Sequence, residues 1–251
     1  MDGTACDATG HLSENTKEAL NALRSRGHLI CFITGRRDMD MAPFWEDAQY
    51  ADYLLMNNGG KLMLPKSREI LFQSYVPKET AERLIFFCLK ENLQLHVLGN
   101  NSWYVNKWSQ GLQDYTDYLG VRPKLYSELS KLDTAHIEGF YVTDDAVKVC
   151  EFMRIQNLPL SYALSEDNCV DIMPRQVSKR SGLAQLGEML NIPKEDMVAA
   201  GDYENDIPML RYAGVGVAVA NALPSVKAAA DYVTVRSHDK DAVLEIIEKF
   251  F

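Results

Sequence analysis

Gly201-Asp202-Tyr203-Glu204-Asn205-Asp206 follows the apolar run Met197-Val198-Ala199-Ala200 and precedes Ile207, Met209, Leu210 and Ala213 at helical spacing. The pattern predicts a buried strand, a sharp acidic loop and a helix. Asp202, Glu204 and Asp206 then stand at the carboxyl end of a strand, the edge at which open α/β sheets bind ligands. Two carboxylates about 4 Å apart repel by roughly 4 kcal/mol at an effective dielectric near 20. Such a loop calls for a cation, a proton or a solvated geometry that keeps the groups apart, and hard carboxylate oxygens favour Mg²⁺. Read alone, the segment is equally an ordinary solvated acidic turn, so its partners elsewhere in the chain decide.

Around this loop the chain alternates strands and helices. Lys179 opens a helix with the stripe Leu183, Leu186 and Leu190, and a strand at 215–218, a helix from Pro224, a strand at 232–235 and a closing helix from about Asp239 follow the loop. The same rhythm occupies the other end. Residues 1–11 have loop chemistry, and Ser13 caps a helix reaching about Arg26, with Ala19, Leu20 and Leu23 as its stripe and Gly27 at its end. Residues 29–33 read as a buried strand ending in Thr34-Gly35-Arg36, with a helix from about Asp38; a strand, Thr-Gly and a helix start offer a hydroxyl and backbone N–H groups to an anion. A strand at 53–56 ends in Asn57-Asn58-Gly59-Gly60, a loop suited to positive φ, and a hairpin covers 61–64 and 69–73.

Residues 75–174 differ. Helices at 78–91, 110–119 and 146–156 mix with strands near 93–98, 103–105, 136–143, 161–164 and 169–173, the pattern of an inserted α+β unit. The domains expected are therefore a discontinuous α/β core, 1–74 with 175–251, and an α+β domain at 75–174. Trp103, Tyr104 and Trp108 cluster in the insertion, either as core or as an aromatic wall over a ligand.

Composition narrows the function. In 251 residues, 47% are hydrophobic and 24% charged, as in a soluble globular protein. The formal net charge of −9 argues against a nucleic-acid or anionic-membrane partner, so an anionic substrate needs positive charge supplied locally. Five scattered cysteines without a C-x-x-C pair fit reduced thiols in a cytoplasmic protein. No apolar run is long enough for a membrane span.

Asp2-Gly3-Thr4, Thr34-Gly35-Arg36, Lys179 and the loop 201–206, in this order, resemble the haloacid dehalogenase superfamily of phosphohydrolases, and most closely its Cof-type group, whose large α/β cap lies between the second and third motifs. The resemblance spans essentially the whole chain. It is strongest over 170–230, where Asp171-Ile172-Met173-Pro174, Ser178-Lys179, the acidic loop and 217–222 all match. It implies a Rossmann-like core with an inserted α+β cap, and a Mg²⁺-dependent phosphatase of a small phosphorylated metabolite, a sugar phosphate or a nucleotide. An Asp attacks phosphorus, and water hydrolyses the aspartyl-phosphate. By the same resemblance Asp2 is the general acid and base and lends its carbonyl to Mg²⁺. Asp202 is a direct metal ligand and Asp206 acts through water or by holding the loop. Thr34 and Gly35 bind phosphoryl oxygens, Lys179 neutralises charge, and Asn205 orients the phosphate. Arg36 is either structural or faces the substrate. Glu204 reads as solvated, the five histidines show no metal-ligand spacing, and Trp103, Tyr104, Trp108 and His136 are candidate specificity residues.

One departure stands out. The family nucleophile lies two residues before the Asp placed at position 2, and the apolar strand leading to it is absent from the 251 residues. The preferred expectation is a nucleophilic Asp just upstream of Met1, because Asp2, Thr34, Lys179, Asp202 and Asp206 are all present. The 251-residue chain as it stands is then expected to be inactive or nearly so. The alternatives are a non-catalytic phospho-ligand binder and, among enzymes, a phosphotransferase or mutase.

Overall fold

Ser13 has an extended backbone and its hydroxyl accepts the Thr16 N–H, so the first helix starts at a side-chain cap and runs Glu14–Ser25. Leu20 and Leu23 are buried on its inner face. The computed structural model describes residues 1–99, 102–143, 146–164 and 169–251, with the side chain of Leu164 outside the description. Its contacts divide the chain into two units. Met1–Arg36, Pro43–Phe72 and Ser178–Phe251 form the first, Arg37–Ala42 and Gln73–Val177 the second.

The first unit opens with β1 (Cys31–Ile33), β2 (Tyr53–Met56), β3 (Lys61–Met63) and β4 (Ile70–Gln73), in that order across one sheet. β1 and β2 are parallel, with Phe32 opposite Leu54, and β2 and β3 are antiparallel. The helix expected from Asp38 is instead a 3₁₀ stretch, Asp38–Phe44, followed by the single turn Trp45–Ala48. Pro43 lies inside the stretch, and its missing N–H and ring prevent a continuous α-helix.

The second unit is built on β5 (His96–Gly99), β6 (Ser102–Val105), β7 (Lys124–Leu125), β8 (Ile137–Val142), β9 (Leu160–Leu164) and β10 (Val170–Pro174), in the order β7-β6-β5-β8-β10-β9. All pairs are antiparallel except β6 with β7. Strand alternation divides its apolar residues between two faces. Val97, Phe140, Val142 and Ile172 pack with Leu84, Ile85, Val149 and Met153 of the helices Lys78–Lys90 and Ala146–Ile155. Leu98, Trp103 and Val105 pack with Met39 and with Leu112 and Leu119 of the helix Gln110–Leu119. The aromatic trio therefore makes no single wall. Trp103 is buried in the second cluster, its neighbour Tyr104 points to the first, and Trp108 is exposed. β5 starts later than the pattern suggests because the Asn106 side chain takes the local backbone groups, accepting from Leu95 N–H and donating to Leu93 C=O.

The chain re-enters the first unit through the helix Lys179–Leu190 and then forms β11 (Val198–Gly201), β12 (Val215–Ala218) and β13 (Tyr232–Val233), a parallel sheet in that order. Leu183 packs on the β11–β12 side and Leu186 with Leu55 and Leu62 on the β2–β3 side, which fixes the helix against both sheets. The last helix begins at Ala242, after Asp241 at φ +59°, and not at Asp239. β1 and β11 each end their sheet. Between them lies a cleft of about 420 Å³ whose wall includes Phe32, Ile33, Leu183, Leu186, Ala199 and Ile246. Among the described residues no helix is long and apolar enough to cross a membrane.

Candidate active site

The acidic loop is held by one of its own carboxylates. Asp206 Oδ2 accepts the backbone N–H of Asp202 at 3.0 Å and of Tyr203 at 3.1 Å, while Oδ1 accepts from Lys179 Nζ at 2.7 Å. Burial works to raise the Asp206 carboxyl, but the Lys179 charge, its hydrogen bond and the two N–H donors outweigh it, and the group lies below the ordinary Asp range. Lys179 is the first residue of its helix. Ser178 caps that helix by accepting the Ser181 N–H, and Ser181 Oγ accepts the Ser178 N–H in return. The lysine is buried, and Nζ also lies 3.4 Å from Asn205 Oδ1. A cation there opposes the helix dipole and is held by the acidic loop.

Asp202 has different surroundings. Its Oδ1 accepts from Thr4 Oγ1 at 2.5 Å, and Gly3, at φ +64°, passes so close that an added Cβ would collide with Oδ2. Only glycine suits both that backbone angle and that approach. Burial raises the Asp202 carboxyl and the Asp206 charge adds to it, against the Thr4 hydrogen bond and the charges of the N-terminus and Lys179, and its pKa is raised above the ordinary value. Asn221 Nδ2 donates to Gly3 C=O at 2.7 Å and so ties 217–222 to the same turn.

Asp2 is half exposed and faces Arg36. Nε donates to Oδ2 at 2.8 Å and Nη2 to Oδ1, a two-point pairing, while the guanidinium lies over the Phe44 ring. Burial tends to raise this carboxyl, yet the Arg36 hydrogen bonds and the amino terminus prevail and lower it. Thr34 Oγ1 accepts the Arg36 N–H at 3.1 Å, which leaves its own O–H to donate. Asn58 N–H donates to Thr34 C=O at 3.0 Å, and Asn58 Oδ1 accepts from Asn205 Nδ2 at 3.0 Å. A chain of contacts thus runs from Thr34 through Asn58 and Asn205 to Lys179 and Asp206.

Asn57 and Asn58 both have positive φ, as their loop chemistry predicts, and Gly59 follows at φ +96°. A Cβ at Gly59 would press on the Ser178 carbonyl, directly before Lys179. Gly59→Ala is expected to cost about 1–3 kcal/mol from the strained backbone alone, read as a lower urea midpoint with unchanged m-value. An unchanged midpoint would show that the loop repacks freely.

The structure brings Asp2, Thr34, Gly35, Arg36, Lys179, Asp202, Asn205 and Asp206 into one region of the first unit. Glu204 is exposed. His136 pairs with Asp133 and is half exposed, in the second unit. Residues not singled out from sequence are Asn58, Asn221 and Thr4 as a side-chain partner. The signal for Asn58 was present, since an Asn pair before two glycines marks a backbone with positive φ whose side chains are free to bridge. Among the described residues no three His, Cys, Asp or Glu side chains are gathered as a metal cage. The chemistry still suits a hard cation, because Asp202 is a half-buried carboxylate beside a buried one, with a hydroxyl as its side-chain donor.

Comparison with known proteins places the chain. Residues 1–247 match the model of the haloacid dehalogenase-like hydrolases, and the chain belongs to that family. It is 29% identical over 245 residues to the HMP-PP phosphatase of Cronobacter sakazakii, covering 95% of this chain and 88% of that protein. It is 26% identical over 246 residues to the HMP-PP phosphatase of Escherichia coli O6:H1, with the same coverages. A haloacid dehalogenase-like hydrolase from Bacteroides thetaiotaomicron superposes with a TM-score of 0.85 at 24% identity, over 100% of this chain and 97% of the other. A HAD subclass IIB sugar phosphatase does so at 0.84 and 24%, over 100% and 96%. At that identity the likeness speaks for the fold.

Proposed function

We propose that the protein is a Mg²⁺-dependent phosphatase of small phosphorylated metabolites, with the second unit as its specificity cap. The observation that carries this reading is the buried Lys179 cation set between Asp206 and Asn205, beside an Asp202 carboxylate that Thr4 and Gly3 hold in place. Phosphoryl transfer needs positioning and charge neutralisation more than covalent machinery. Lys179 and the Thr34 hydroxyl supply donors to phosphoryl oxygens, and Asn205 keeps Lys179 in register. Asp202 and the Asp2 carbonyl would hold Mg²⁺, which when bound offsets charge on the phosphate. Asp206 holds the loop through two N–H groups. Asp2, protonated from solvent when Arg36 turns to the substrate, would give its proton to the leaving alcohol and, ionised again, take one from the attacking water. Relatives named HMP-PP phosphatase and a sugar phosphatase of the same fold favour a phosphate or diphosphate ester of a small organic alcohol, a sugar or a nucleotide included.

The resemblance to the family implies that the attacking carboxylate is an Asp two positions before Asp2. The cleft between β1 and β11 favours its source. An extended apolar segment lying there would pair with both strand edges and end beside Asp2. The nucleophilic Asp of that segment would precede Asp2 by two positions. The test is phosphate release with Mg²⁺ from two proteins, the 251-residue chain and one extended by an apolar strand ending in an Asp directly before Met1. Turnover by the extended protein alone is expected. Robust turnover by the 251-residue chain would overturn the assignment. Ligand-induced thermal stabilisation without phosphate release, by both, would favour the binding-protein reading.

A further inference from the structure

Asn221 and His238 follow β12 and β13, past the carboxyl ends of the sheet that also carries the acidic loop. The proposed phosphoryl chemistry uses neither residue, yet both reach the turn that bears Asp2. Asn221 Nδ2 donates to Gly3 C=O at 2.7 Å, and its Oδ1 accepts the His238 N–H at 2.9 Å. His238 Nδ1 is 2.7 Å from Cys6 C=O. A carbonyl only accepts and a backbone N–H only donates. The Asn221 amide therefore has one orientation, and His238 carries a proton on Nδ1. The result is a clasp from Gly3 through Asn221 and His238 to Cys6, entirely within the first unit.

The clasped turn has a specific backbone. The N–H groups of Thr4, Ala5 and Cys6 all donate to Met1 C=O, at 3.2, 2.8 and 3.0 Å. Gly3 has φ +64° while Asp2 has no positive φ, the type II pattern. The carbonyls of Met1, Gly3 and Cys6 are thus engaged. Among the described residues no donor is bonded to the Asp2 carbonyl, which lies between the first two. Peptide groups are rigid planes. Three N–H donors fix the plane before Asp2, and Asn221 fixes the plane after Gly3, so the plane carrying the Asp2 carbonyl is held at both ends. Freed from Asn221, Gly3 would sample φ of either sign. The same segment also steadies the second carboxylate, since Leu223 N–H donates to Asp202 C=O at 3.0 Å.

We propose that Asn221 and His238 are positioning residues of the cation site: by holding the Gly3 and Cys6 carbonyls they keep the turn in the arrangement that leaves the Asp2 carbonyl free for Mg²⁺. The cation rests on the phosphatase reading; the clasp stands on its own hydrogen bonds.

The 251-residue chain is compared with Asn221→Ala, His238→Leu and His238→Asn, the last of which keeps a side-chain donor near the place of Nδ1. Mg²⁺ alone is titrated by calorimetry, and exchange of the Thr4, Ala5 and Cys6 amides is followed in EDTA. Partners that orient metal ligands are typically worth about 10–100-fold in metal affinity. Asn221→Ala and His238→Leu are expected to bind Mg²⁺ at least about tenfold more weakly and to exchange these amides at least about tenfold faster. His238→Asn should stay within about threefold of wild type in both measurements. Asn221 is exposed, so water solvates the groups it leaves, and the melting midpoint of Asn221→Ala in EDTA should stay near that of wild type. A purely structural role would lower that midpoint and leave Mg²⁺ affinity alone. Wild-type affinity in Asn221→Ala and His238→Leu overturns the proposal, and so does a His238→Asn that behaves as His238→Leu does. If wild type takes up no Mg²⁺, the cation of the phosphatase reading falls, and amide exchange alone judges the clasp: unchanged exchange in the two disrupting variants overturns it.

Discussion

Lys179→Met is expected to destabilise the protein by about 3–5 kcal/mol at neutral pH, the range for removing one partner of a buried ion pair. Nζ lies 2.7 Å from Asp206 Oδ1, and the two side chains are only 10% and 5% exposed. Methionine fills the space of the lysine stem but leaves the Asp206 carboxylate buried without its cation. The acid side of the stability profile follows from the same pair. The folded Asp206 carboxyl lies below the unfolded value, near 3.9, so its contribution is complete above that value and is lost as pH falls towards the lower folded one. In Lys179→Met the depression shrinks, and the stability difference from wild type narrows as the solution is acidified. The double variant Lys179→Met with Asp206→Asn should recover part of the loss, because a neutral amide costs less to bury than an orphaned charge. Urea denaturation of wild type, Lys179→Met, Asp206→Asn and the double variant at pH 7 and pH 4 measures this. A single variant within 1 kcal/mol of wild type at pH 7 would show that solvent already reaches the pair.

Local signals carried much of the first unit. Ser13 and Ser178 cap helices because a hydroxyl there has a backbone N–H within reach, and this depends on nothing distant. The loop 57–60 takes positive φ because Asn and Gly tolerate it. Lys179 was also legible, since a lysine at a helix start is locally misplaced and its remedy, Asp206, stands at a strand end with two other carboxylates. What the sequence hid depends on contacts between distant segments. Trp103, Tyr104 and Trp108 look like one cluster, yet strand alternation sends the first two to opposite faces, and only the packed sheet shows which is core. His96 looked inert because metal spacing was the criterion. Only the fold shows that Trp103 occupies one of its ring nitrogens and that the register sets it opposite Tyr141. Arg37 directly follows the Thr34-Gly35-Arg36 turn, but its side chain joins Asp40, Asp171 and Tyr141 of the second unit. Adjacent arginines with separate partners are invisible without the fold.

Asp202→Asn should act in the opposite direction to Lys179→Met. Burial and the Asp206 charge raise the Asp202 carboxyl despite the Thr4 hydrogen bond, so the folded state disfavours the ionised form. A carboxyl raised in this way stabilises fully below its unfolded value, and that contribution is lost as pH rises through the folded value. At pH 7 it is ionised at a cost. Asparagine removes that cost and keeps an oxygen for the Thr4 hydroxyl, so the metal-free variant is expected to melt above wild type. Adding Mg²⁺ should then reverse the order. Wild type gains about 2.7 kcal/mol at a free ion concentration one hundred times its Kd, while the variant, without the carboxylate ligand, gains little. Thermal melts with EDTA and with a Mg²⁺ series give both halves from one preparation. Equal Mg²⁺ stabilisation of the two proteins would remove Asp202 from the metal site. A variant that melts lower than wild type in EDTA would show that the Asp202 charge is satisfied within the fold, and that a cation is not what this pair of carboxylates is arranged to receive.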